Sequence, residues 1–534
     1  MESEDVKHWA DQLKEKIIKE REEKERYVFN CGMSISGMMH IGNLRGELLI
    51  PSSIAKIFES TEKKVDFKGV YYTQDRFKAR DGQVQNFENP EDAKKYKGWR
   101  LIDVPDPKDC HENWVEHFNS KNDPFLSKFG IEVDPITTTE FYRMEETKSL
   151  VKGFLKERNR VRKILNQYRE RNPYPEGWIP FDPLCKKCRR IDSTESIDLD
   201  FKEERVKYKC NSCGSEGWSS IENGKLAWRL EWSALWEILE VDFEPFGKDH
   251  ATPGGSRDSC VKLSKEFGLN YPSGFPFNWV YWKKDGNIKE MTSSGNVGMT
   301  AEVFLEIAEP EVLNYLYIST KPMKEIYFNP LELPTYTRRF DRAEAVYFDE
   351  KEARTEKRGM NMKRNYELAV KEVPDKKPLR VPYGTCAFVA QLAEKEDRLL
   401  ELTKKTGQIP DTVSGKDKGA ILNRIKRAGK WIKKFNPEQH VIKVQENVLD
   451  VKDRLSEEQK EVLRKLREDL EEKQWKPDEL QNRIYQFKEE YGISAGEVFQ
   501  AVYLAVLGKK SGPRAGQLIK AVGQDKVVKI LNGI

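Results

Sequence analysis

Long hydrophobic runs are missing from this sequence. No stretch approaches the roughly 18 consecutive apolar residues that a membrane-spanning helix requires, so a membrane span is excluded. The first 29 residues form a charged, amphipathic pattern without the apolar core of a secretory signal. We therefore expect a cytoplasmic protein with no membrane partner.

Cysteine is scarce, and charge of one sign is not in excess. Eight cysteines in 534 residues are too few for a disulfide scaffold. The 93 basic residues nearly balance the 89 acidic ones, so the total charge says nothing about partners. Aromatic residues, by contrast, make up 11% of the chain, which excludes a disordered protein. The length leaves room for roughly three or four folded domains.

The front of the chain predicts a parallel α/β sheet. Residues 27–31 form an apolar strand that runs into a glycine-bearing turn, and a helix follows at about 40–59, which Pro51 should kink or break. Residues 65–72 form the next strand, and this order is typical of parallel α/β folds. Residues 5–25 are predicted to form a first helix, 96–125 an irregular insertion and 145–172 a basic helix. Beyond about residue 380 the chain is predicted to be helical to its end, beginning with a helix over 387–402.

Four of the cysteines form two C-x-x-C pairs separated by 21 residues: Cys185, Cys188, Cys210 and Cys213. Each pair places two thiolates on one tight turn, and two such turns complete a tetrahedral zinc site without an open position. This zinc would be structural, and the alternative is a set of redox-active or free thiols. The other cysteines are scattered and are expected to be packing residues: Cys31, Cys110, Cys260 and Cys386.

A second signal is His40-Ile41-Gly42-Asn43, placed after the first strand at the start of a helix. Unpaired N–H groups and the dipole at such a helix start favour phosphate. His40 can donate a hydrogen bond to an α-phosphate as charge develops, and Gly42 leaves room for a purine against the backbone. The alternative is that His40 is an ordinary cap or core residue.

Together these and other segments resemble class I lysyl-tRNA synthetases of the archaeal and spirochaetal type along nearly the whole chain. The segments that carry the resemblance are 32–43, 104–107 with Cys110-His111, 227–236, 241–250, the two cysteine pairs and 507–514. The resemblance implies a Rossmann-type catalytic domain with a zinc-ribbon insertion, followed by an all-α helical cage for the anticodon. The predicted segments are 1–180 (N-terminal helix and first Rossmann part), 181–225 (zinc-binding insertion), 226–320 (second Rossmann part), 321–380 (connecting region) and 381–534 (helical anticodon-binding domain).

The resemblance also implies site residues. His40 and Asn43 would contact ATP phosphates, with Gly42 under the adenine and Lys289 nearby. The segment 289–296, by itself a generic Ser/Gly loop, resembles the mobile loop that closes on ATP; its expected catalytic residues are Met291, Thr292, Ser293 and Ser294. The expected amino-acid pocket consists of Gly32, Ser34, Trp232, His250 and Phe277. An aromatic box suits a lysine stem and ammonium, although the spacing of Trp228, Trp232 and Trp236 equally fits a buried helical stripe.

Several positions depart from the family pattern. Glu290 stands where the mobile loop usually carries its first lysine, and Phe277 stands where a tyrosine is common. Ser34-Ile35-Ser36-Gly37 replaces the usual Thr-Pro-Ser-Gly turn. Loss of the loop cation would remove electrostatic stabilisation of the departing pyrophosphate. A synthetase-like paralogue with another amino acid or acceptor, or a catalytically weak tRNA-binding regulator, therefore remains an alternative.

RNA binding is predicted from a cationic helix at 418–435. Lysines and arginines lie opposite an apolar face at helical spacing, which suits RNA phosphates, although a solvated surface helix has the same pattern. The expected RNA contacts are Arg424, Arg427, Lys430 and Lys434. The resulting prediction is an ATP-dependent ligase that forms lysyl-adenylate and charges tRNA, with L-lysine, ATP and tRNA as substrates or partners, and with Mg²⁺ and structural Zn²⁺.

Overall fold

The computed structural model describes residues 7–169, 171–295 and 297–534, without the side chain of Asp450. The described chain divides into two compact units. The first unit contains residues up to 302 together with 313–329 and 354–372, and the second contains 303–312, 330–353 and 373–534. The segment boundaries given above remain predictions.

All strands of the described chain lie in the first unit, and they form four sheets. The strands are β1 (Arg26–Met33), β2 (Lys64–Tyr71), β3 (Asp134–Thr137), β4 (Phe181–Pro183), β5 (Thr194–Asp200), β6 (Arg205–Cys210), β7 (Glu216–Ser220), β8 (Gly224–Leu226), β9 (Phe243–Gly247), β10 (Ser273–Phe277), β11 (Val280–Lys284), β12 (Asn287–Glu290) and β13 (Ile326–Phe328).

Helices cover the faces of the sheet in the first unit and make up the regular structure of the second. They are α1 (Trp9–Arg21), α2 (Ile41–Asn43), α3 (Ile50–Glu59), α4 (Asp81–Val84), α5 (Pro90–Ala93), α6 (Trp114–Leu126), α7 (Thr138–Phe141), α8 (Glu145–Lys156), α9 (Arg158–Asn166), α10 (Trp228–Ile238), α11 (Ser256–Phe267), α12 (Ala301–Ile307), α13 (Pro310–Ile318), α14 (Leu333–Tyr347), α15 (Glu356–Ala369), α16 (Tyr383–Val389), α17 (Glu396–Lys405), α18 (Gly415–Phe435), α19 (Glu457–Glu472), α20 (Pro477–Tyr491), α21 (Ala495–Leu507), α22 (Ala515–Val522) and α23 (Gln524–Leu531).

The main sheet has five parallel strands in the order β10-β9-β1-β2-β3. The central strand β1 is buried on both faces, as expected for a parallel sheet covered by helices. Its Phe29 packs edge-on against Phe58 of α3, at 5.5 Å between ring centroids, and against Phe243 of β9, at 5.0 Å. This aromatic core packs the middle of β1, and the candidate site begins at the carboxyl end of the same strand.

The second unit is helical, and serine side chains cap the N-termini of α18, α19 and α21. In α21, Ser494 accepts from the N–H of Glu497 while the Glu497 side chain accepts from the N–H of Ser494, an arrangement that satisfies two end groups of the helix. The α/β first unit and this helical unit confirm the predicted fold class. In the part of the chain that is described, we find no helix with the length and apolar character needed to cross a bilayer.

Three of the predicted segments differ from the structure. The supposedly irregular stretch 96–125 contains the well-formed helix α6, and the predicted basic helix 145–172 is broken at Glu157 into α8 and α9. A predicted helix over 387–402 is likewise two helices, α16 and α17. Residues 5 and 6 of the predicted first helix lie outside the described residues.

Candidate functional site

The turn after β1 leads into an unusual helix. Residues Leu44–Leu49 form a π-helix between α2 and α3. The helix changes from π to α geometry immediately before Pro51, which occupies the first turn of α3, where proline is well tolerated. The wider π turn carries one more residue than an α turn, and such insertions are frequent at functional sites. It determines which residues face the sheet and which face the cavities described below.

His40 stands at the start of this segment with a free ring nitrogen. Its Nδ1 is buried, and among the described residues no group hydrogen-bonds to it. Burial lowers the pKa of His40 to about 4, so the imidazole is neutral at physiological pH. A Cβ at Gly42 would lie 2.9 Å from Nδ1, so only glycine lets the imidazole pack here. A neutral ring with an unpartnered nitrogen is poised to bond a ligand.

The Ser/Gly loop packs onto this turn although it lies some 250 residues away in sequence. The Oγ of Ser293 donates to Oδ1 of Asn43 at 3.5 Å, and Asn43 also accepts from the backbone N–H of His40 at 3.2 Å. Thr292 and Val297 exchange two backbone hydrogen bonds, which close the loop. Met291 and Ser294 are buried. The structure thus brings the predicted loop residues 291–294 next to the turn that contains His40 and Asn43. Asn296, the end of the predicted loop, lies outside the described residues.

A cavity of about 220 Å³ lies between the turn and the loop. His40, Thr292 and Ser293 line it together with residues of the α4 region. The exposed Arg80 reaches the same loop, since its Nη1 donates to the Oγ of Ser294 at 3.3 Å. Sequence reasoning did not identify Arg80, because it lies in an irregular segment without a motif. It supplies a positive charge beside the loop in which Glu290 replaces the usual lysine.

Lys289 takes a different position from the loop residues that follow it. It lies on β12, where its backbone pairs with Trp282 of β11, and its side chain is exposed. Glu290, Met291 and Gly42 line a second cavity of about 80 Å³ next to His40. The structure therefore places Met291 and Ser293, rather than Lys289, against the His40 turn.

Glu47 of the π-helix faces this second cavity and was not found from the sequence. Burial and the nearby carboxylates of Glu244 and Asp249 raise the pKa of Glu47 to about 8. On the same wall lies Phe277, whose ring sits so close to the π-helix that a Cβ at Gly46 would be 2.2 Å from it. Gly46 therefore allows the aromatic ring to press directly on the helix. The result is an apolar wall next to an acidic group.

Two more predicted pocket residues lie around β1. A Cβ at Gly32 would be 2.7 Å from the ring of Tyr72, so the glycine gives this buried phenol its space. Burial is the main cause that raises the pKa of Tyr72, and the nearby carboxylates of Glu244 and Glu47 raise it further. Ser34 follows at the carboxyl end of β1, where it is exposed and lines a neighbouring small cavity.

Trp232 and His250 lie together, as the resemblance implies. Their ring centroids are 5.4 Å apart, and Trp228 stacks on Trp232 at 5.3 Å. Trp232 is also a core residue, being only 6% exposed, whereas Trp228 is 40% exposed. The indole N–H groups of Trp232 and Trp236 both donate to Glu244, at 2.8 and 2.5 Å. The tryptophan stripe therefore holds a buried carboxylate as well as packing the core.

The four predicted zinc ligands meet in one cluster. The sulfur atoms of Cys185 and Cys213 are 3.7 Å apart, those of Cys188 and Cys210 are 3.6 Å apart, and all four lie within 4.8 Å of one another. Zn–S bonds of about 2.3 Å in a tetrahedron place sulfurs about 3.8 Å apart. The donor set and its spacing therefore fit zinc.

A second cluster of metal-binding side chains lies in the segment that the sequence presented as irregular. Asp106, Cys110, His111 and His117 bring their donor atoms within 4.8 Å of one another. His117 Nδ1 is 2.8 Å from a carboxylate oxygen of Asp106 and 3.3 Å from the sulfur of Cys110. The interpretation of Cys110 as a packing residue is wrong, since it is exposed, whereas Cys31, Cys260 and Cys386 are buried as predicted.

The predicted RNA-binding helix is observed as α18, but one of its cations is not available to RNA. Arg424 is 2% exposed and is bonded to Glu309 at 2.8 Å and to both carboxylate oxygens of Asp341 at 2.8 and 2.9 Å. The prediction that Arg424 contacts RNA is therefore wrong, because breaking this buried network would leave charges without partners. Arg427 donates to the carbonyl of Leu305 at 3.2 Å and is half-buried.

Lys430 and Lys434 are exposed on α18, as an RNA-binding face requires. Lys434 forms an ion pair with Glu306 at 3.1 Å, with both side chains about two-fifths exposed. Such solvent-exposed pairs are worth little and are easily exchanged for another anion.

The parallel sheet, the His40–Asn43 turn at the end of β1 and the loop folded onto it define the catalytic part of a class I aminoacyl-tRNA synthetase. Residues 7–372 match the family model described as tRNA synthetases class I (K), and residues 422–533 match the model described as anticodon binding domain. The chain belongs to this family of class I tRNA synthetases (K).

Relatives of known name are similar over nearly the whole chain. The lysine--tRNA ligase of Aeropyrum pernix is 37% identical, over 98% of this chain and 96% of that protein. The lysine--tRNA ligases of Methanocaldococcus jannaschii and Pyrococcus horikoshii are each 32% identical, over 98% of this chain and 99% of theirs.

Proposed function

We propose that this chain is an ATP-dependent ligase that activates lysine as lysyl-adenylate and transfers it to tRNA. Class I synthetases use ATP and Mg²⁺, and the named relatives are lysine--tRNA ligases. The observation that carries the choice of amino acid is a pair of acids beside an aromatic wall, the half-buried Glu47 in the cavity lining and the buried Glu244 behind it. A cavity of this kind suits an apolar stem that ends in a cation.

Glu47 is assigned as the partner of the lysine ammonium. It faces the cavity that Phe277 and His40 also line, whereas Glu244 is already bonded to two indole N–H groups. A carboxylate next to two others is unfavourable until a cation joins it. The side chain of lysine supplies that cation, whereas the side chain of a neutral or acidic amino acid does not.

The activation step needs positioning and charge stabilisation rather than a side-chain nucleophile. The lysine carboxylate attacks the α-phosphate and pyrophosphate leaves. A ribose hydroxyl of tRNA then attacks the adenylate carbonyl and loses its proton, and AMP leaves as the mixed-anhydride bond breaks. His40 donates its ring N–H to the phosphate oxygen on which charge develops. Arg80 and the hydroxyls of Thr292 and Ser293 lie where they can bind the leaving phosphates. Mg²⁺, when bound, neutralises part of the phosphate charge.

Amino-acid-dependent exchange of pyrophosphate into ATP tests this function. Exchange is measured across a panel of amino acids, with and without tRNA, since the family resemblance implies that activation waits for tRNA. Lysine is expected to support exchange and to become attached to tRNA. Exchange with a different amino acid, or none with lysine and tRNA present, would contradict the proposal.

We infer that both metal clusters hold structural zinc. Four thiolates form one site, and an Asp–Cys–His–His set forms the other; each fills a tetrahedron and leaves no open position. We expect metal analysis to give one zinc ion per cluster. Cys213→Ser should lose one ion and His117→Ala the other, whereas Cys260→Ser, a buried cysteine outside both clusters, should keep both. Unchanged zinc content in the first two variants would rule the assignment out.

We also infer that Lys430 and Lys434 of α18 contact tRNA phosphates. Replacing both lysines by glutamate is expected to raise the tRNA KM about ten-fold. The slope of log affinity for tRNA against log salt concentration should also become shallower, by about 0.7–0.9 for each phosphate that the protein no longer neutralises. The KM values for ATP and lysine should stay the same. The matched control reverses Lys94 and Lys95, which are exposed lysines on the first unit. An equal effect of both double variants would mean that only overall charge matters.

A further inference from the structure

Three side chains that follow α9 form a continuous stack. The rings of Tyr174 and Trp178 are 3.6 Å apart and inclined by only 6°. The guanidinium of Arg169 lies 4.1 Å from the centre of the Tyr174 ring. Since Trp178 covers one face of Tyr174, Arg169 must cover the other. Among the described residues, no further ring stacks on the second face of Arg169, which therefore forms the end of the stack.

Backbone contacts hold this stack in place. The Nε of Arg169 donates to the carbonyl of Asn172 at 2.9 Å. The side chain of Asn166 accepts from the N–H of Tyr174 at 2.8 Å and donates to its carbonyl at 3.0 Å. Tyr174 and Trp178 also pack on the main core of this region. The guanidinium plane is therefore fixed before any ligand arrives, which reduces the entropy cost of binding.

The free end of the stack borders an open cavity of about 480 Å³. Arg169, Arg171 and Asn172 line one side of it, and Gly254 lines the other. A Cβ at Gly254 would meet no atom within 4 Å, so this side is open. Gly254 lies only four residues beyond His250, whose ring touches Trp228 and Trp232. One wall of the cavity is therefore only four residues in sequence from the candidate amino-acid pocket.

Two of the residues that line the cavity, Arg169 and Arg171, are cations, and the chain that precedes them is basic. The helix α9 carries Arg158, Arg160, Arg162 and Lys163, and the exposed Arg171 follows it. Unpaired RNA is recognised by stacking of its bases on aromatic rings or guanidinium planes, with cations tracking the phosphates. A pre-set guanidinium plane within a basic segment has both features.

We propose that Arg169 is a stacking platform for an unpaired nucleotide of the tRNA 3′ end, with Arg171 next to its phosphate. The inference rests on the proposed function, because a terminal ribose that receives the amino acid must enter the pocket at His250. The unpaired nucleotides before it must then pass along the surface next to that residue. Arg169 and its cavity form such a surface.

A binding cycle tests this. The wild type and Arg169→Lys, which keeps the charge but lacks the planar face, are titrated at one salt concentration with full tRNA and with tRNA shortened by its unpaired 3′ nucleotides. The wild type is expected to bind full tRNA about five- to ten-fold more tightly than the shortened form. Arg169→Lys should lose most of that difference and bind the shortened tRNA as the wild type does. The control is Arg205→Lys, whose guanidinium lies 4.8 Å from the Trp218 ring on the cysteine-bearing hairpin.

If Arg169→Lys lowered the affinities for full and shortened tRNA by the same factor, the proposal would be overturned, since Arg169 would then contact the paired stem. Unchanged binding of both RNAs would overturn it as well. The same preparations are assayed for lysine attachment to full tRNA. A wild type that shows the Arg169-dependent preference but attaches no lysine would overturn the proposed function and leave the stacking site standing.

Discussion

Replacing His40 by alanine is expected to slow lysyl-adenylate formation by about 100- to 1000-fold, while the KM for ATP changes only a few-fold. A hydrogen bond to charge that develops in the transition state acts on turnover, and such donors are typically worth about 2.7–4 kcal/mol. The structure leaves Nδ1 of His40 buried and, among the described residues, without a hydrogen-bond partner, next to the loop that closes the 220 Å³ cavity. Single-turnover measurement of adenylate formation gives the rate.

Two further variants separate the hydrogen bond from the shape of the site. His40→Asn keeps a side-chain N–H near the position of Nδ1, and we expect it to recover part of the rate. His440→Ala removes another histidine of lowered pKa, half-buried in the second unit, and should leave the rate unchanged. A fall in ATP affinity as large as the fall in rate would show that His40 only shapes the pocket.

The pH dependence follows from the same environment. Because burial lowers the pKa of His40 to about 4, the ring is neutral from about pH 5 upward. The rate of activation should therefore show no step near the ordinary histidine pKa of about 6.5. Such a step that disappears in His40→Ala would contradict the neutral-donor role.

Local patterns in the sequence are sufficient for part of the site. The strand, the glycine turn and the helix start depend on residues within a few positions of one another, and the His40 turn is predicted from them. The cysteine pairs are recognised for the same reason, since two ligands on each turn have a fixed short spacing. The second metal cluster combines three residue types at unequal spacing, and no single pattern indicates it.

The missed features depend on partners that are distant in sequence. The π-helix has no spacing signature, and its Gly46 is explained only by Phe277, more than 200 residues later. From the helical spacing of the sequence alone, Arg424 looks like one of the exposed cations of α18. Its carboxylate partners, Glu309 and Asp341, are 115 and 83 residues away, so the sequence could not show that it is buried.

Glu47 is not part of any sequence motif, yet it is the residue that we assign to the lysine ammonium. Replacing it by glutamine is expected to raise the KM for lysine by at least about 30-fold, because removing one partner of a hydrogen-bonded charge pair away from water typically costs about 2–5 kcal/mol or more. The KM for ATP should change little. Glu290→Gln is the matched control, because Glu290 lines the same cavity but is exposed.

The proton balance of lysine binding distinguishes this role from a merely structural one. The groups around Glu47 are the carboxylates of Glu244 and Asp249, the thiol of Cys31 and the phenol of Tyr72, and burial together with the two carboxylates raises its pKa to about 8. Glu47 is therefore mostly protonated at pH 7 in the free protein. The lysine ammonium requires the ionised form, so binding must release a proton.

The lysine KM of the wild type should accordingly fall as pH rises from about 6.5 to 8, since less energy is spent on removing that proton. Calorimetry in the presence of tRNA, in buffers of different ionisation enthalpy, measures the proton directly. We expect nearly one proton released per lysine at pH 7, and much less for Glu47→Gln, which has no acid to ionise. Equal proton release by both proteins would assign the proton to another group. An unchanged lysine KM in Glu47→Gln would remove Glu47 from the lysine pocket, and Glu244 would then be the remaining buried carboxylate near the tryptophans for the ammonium.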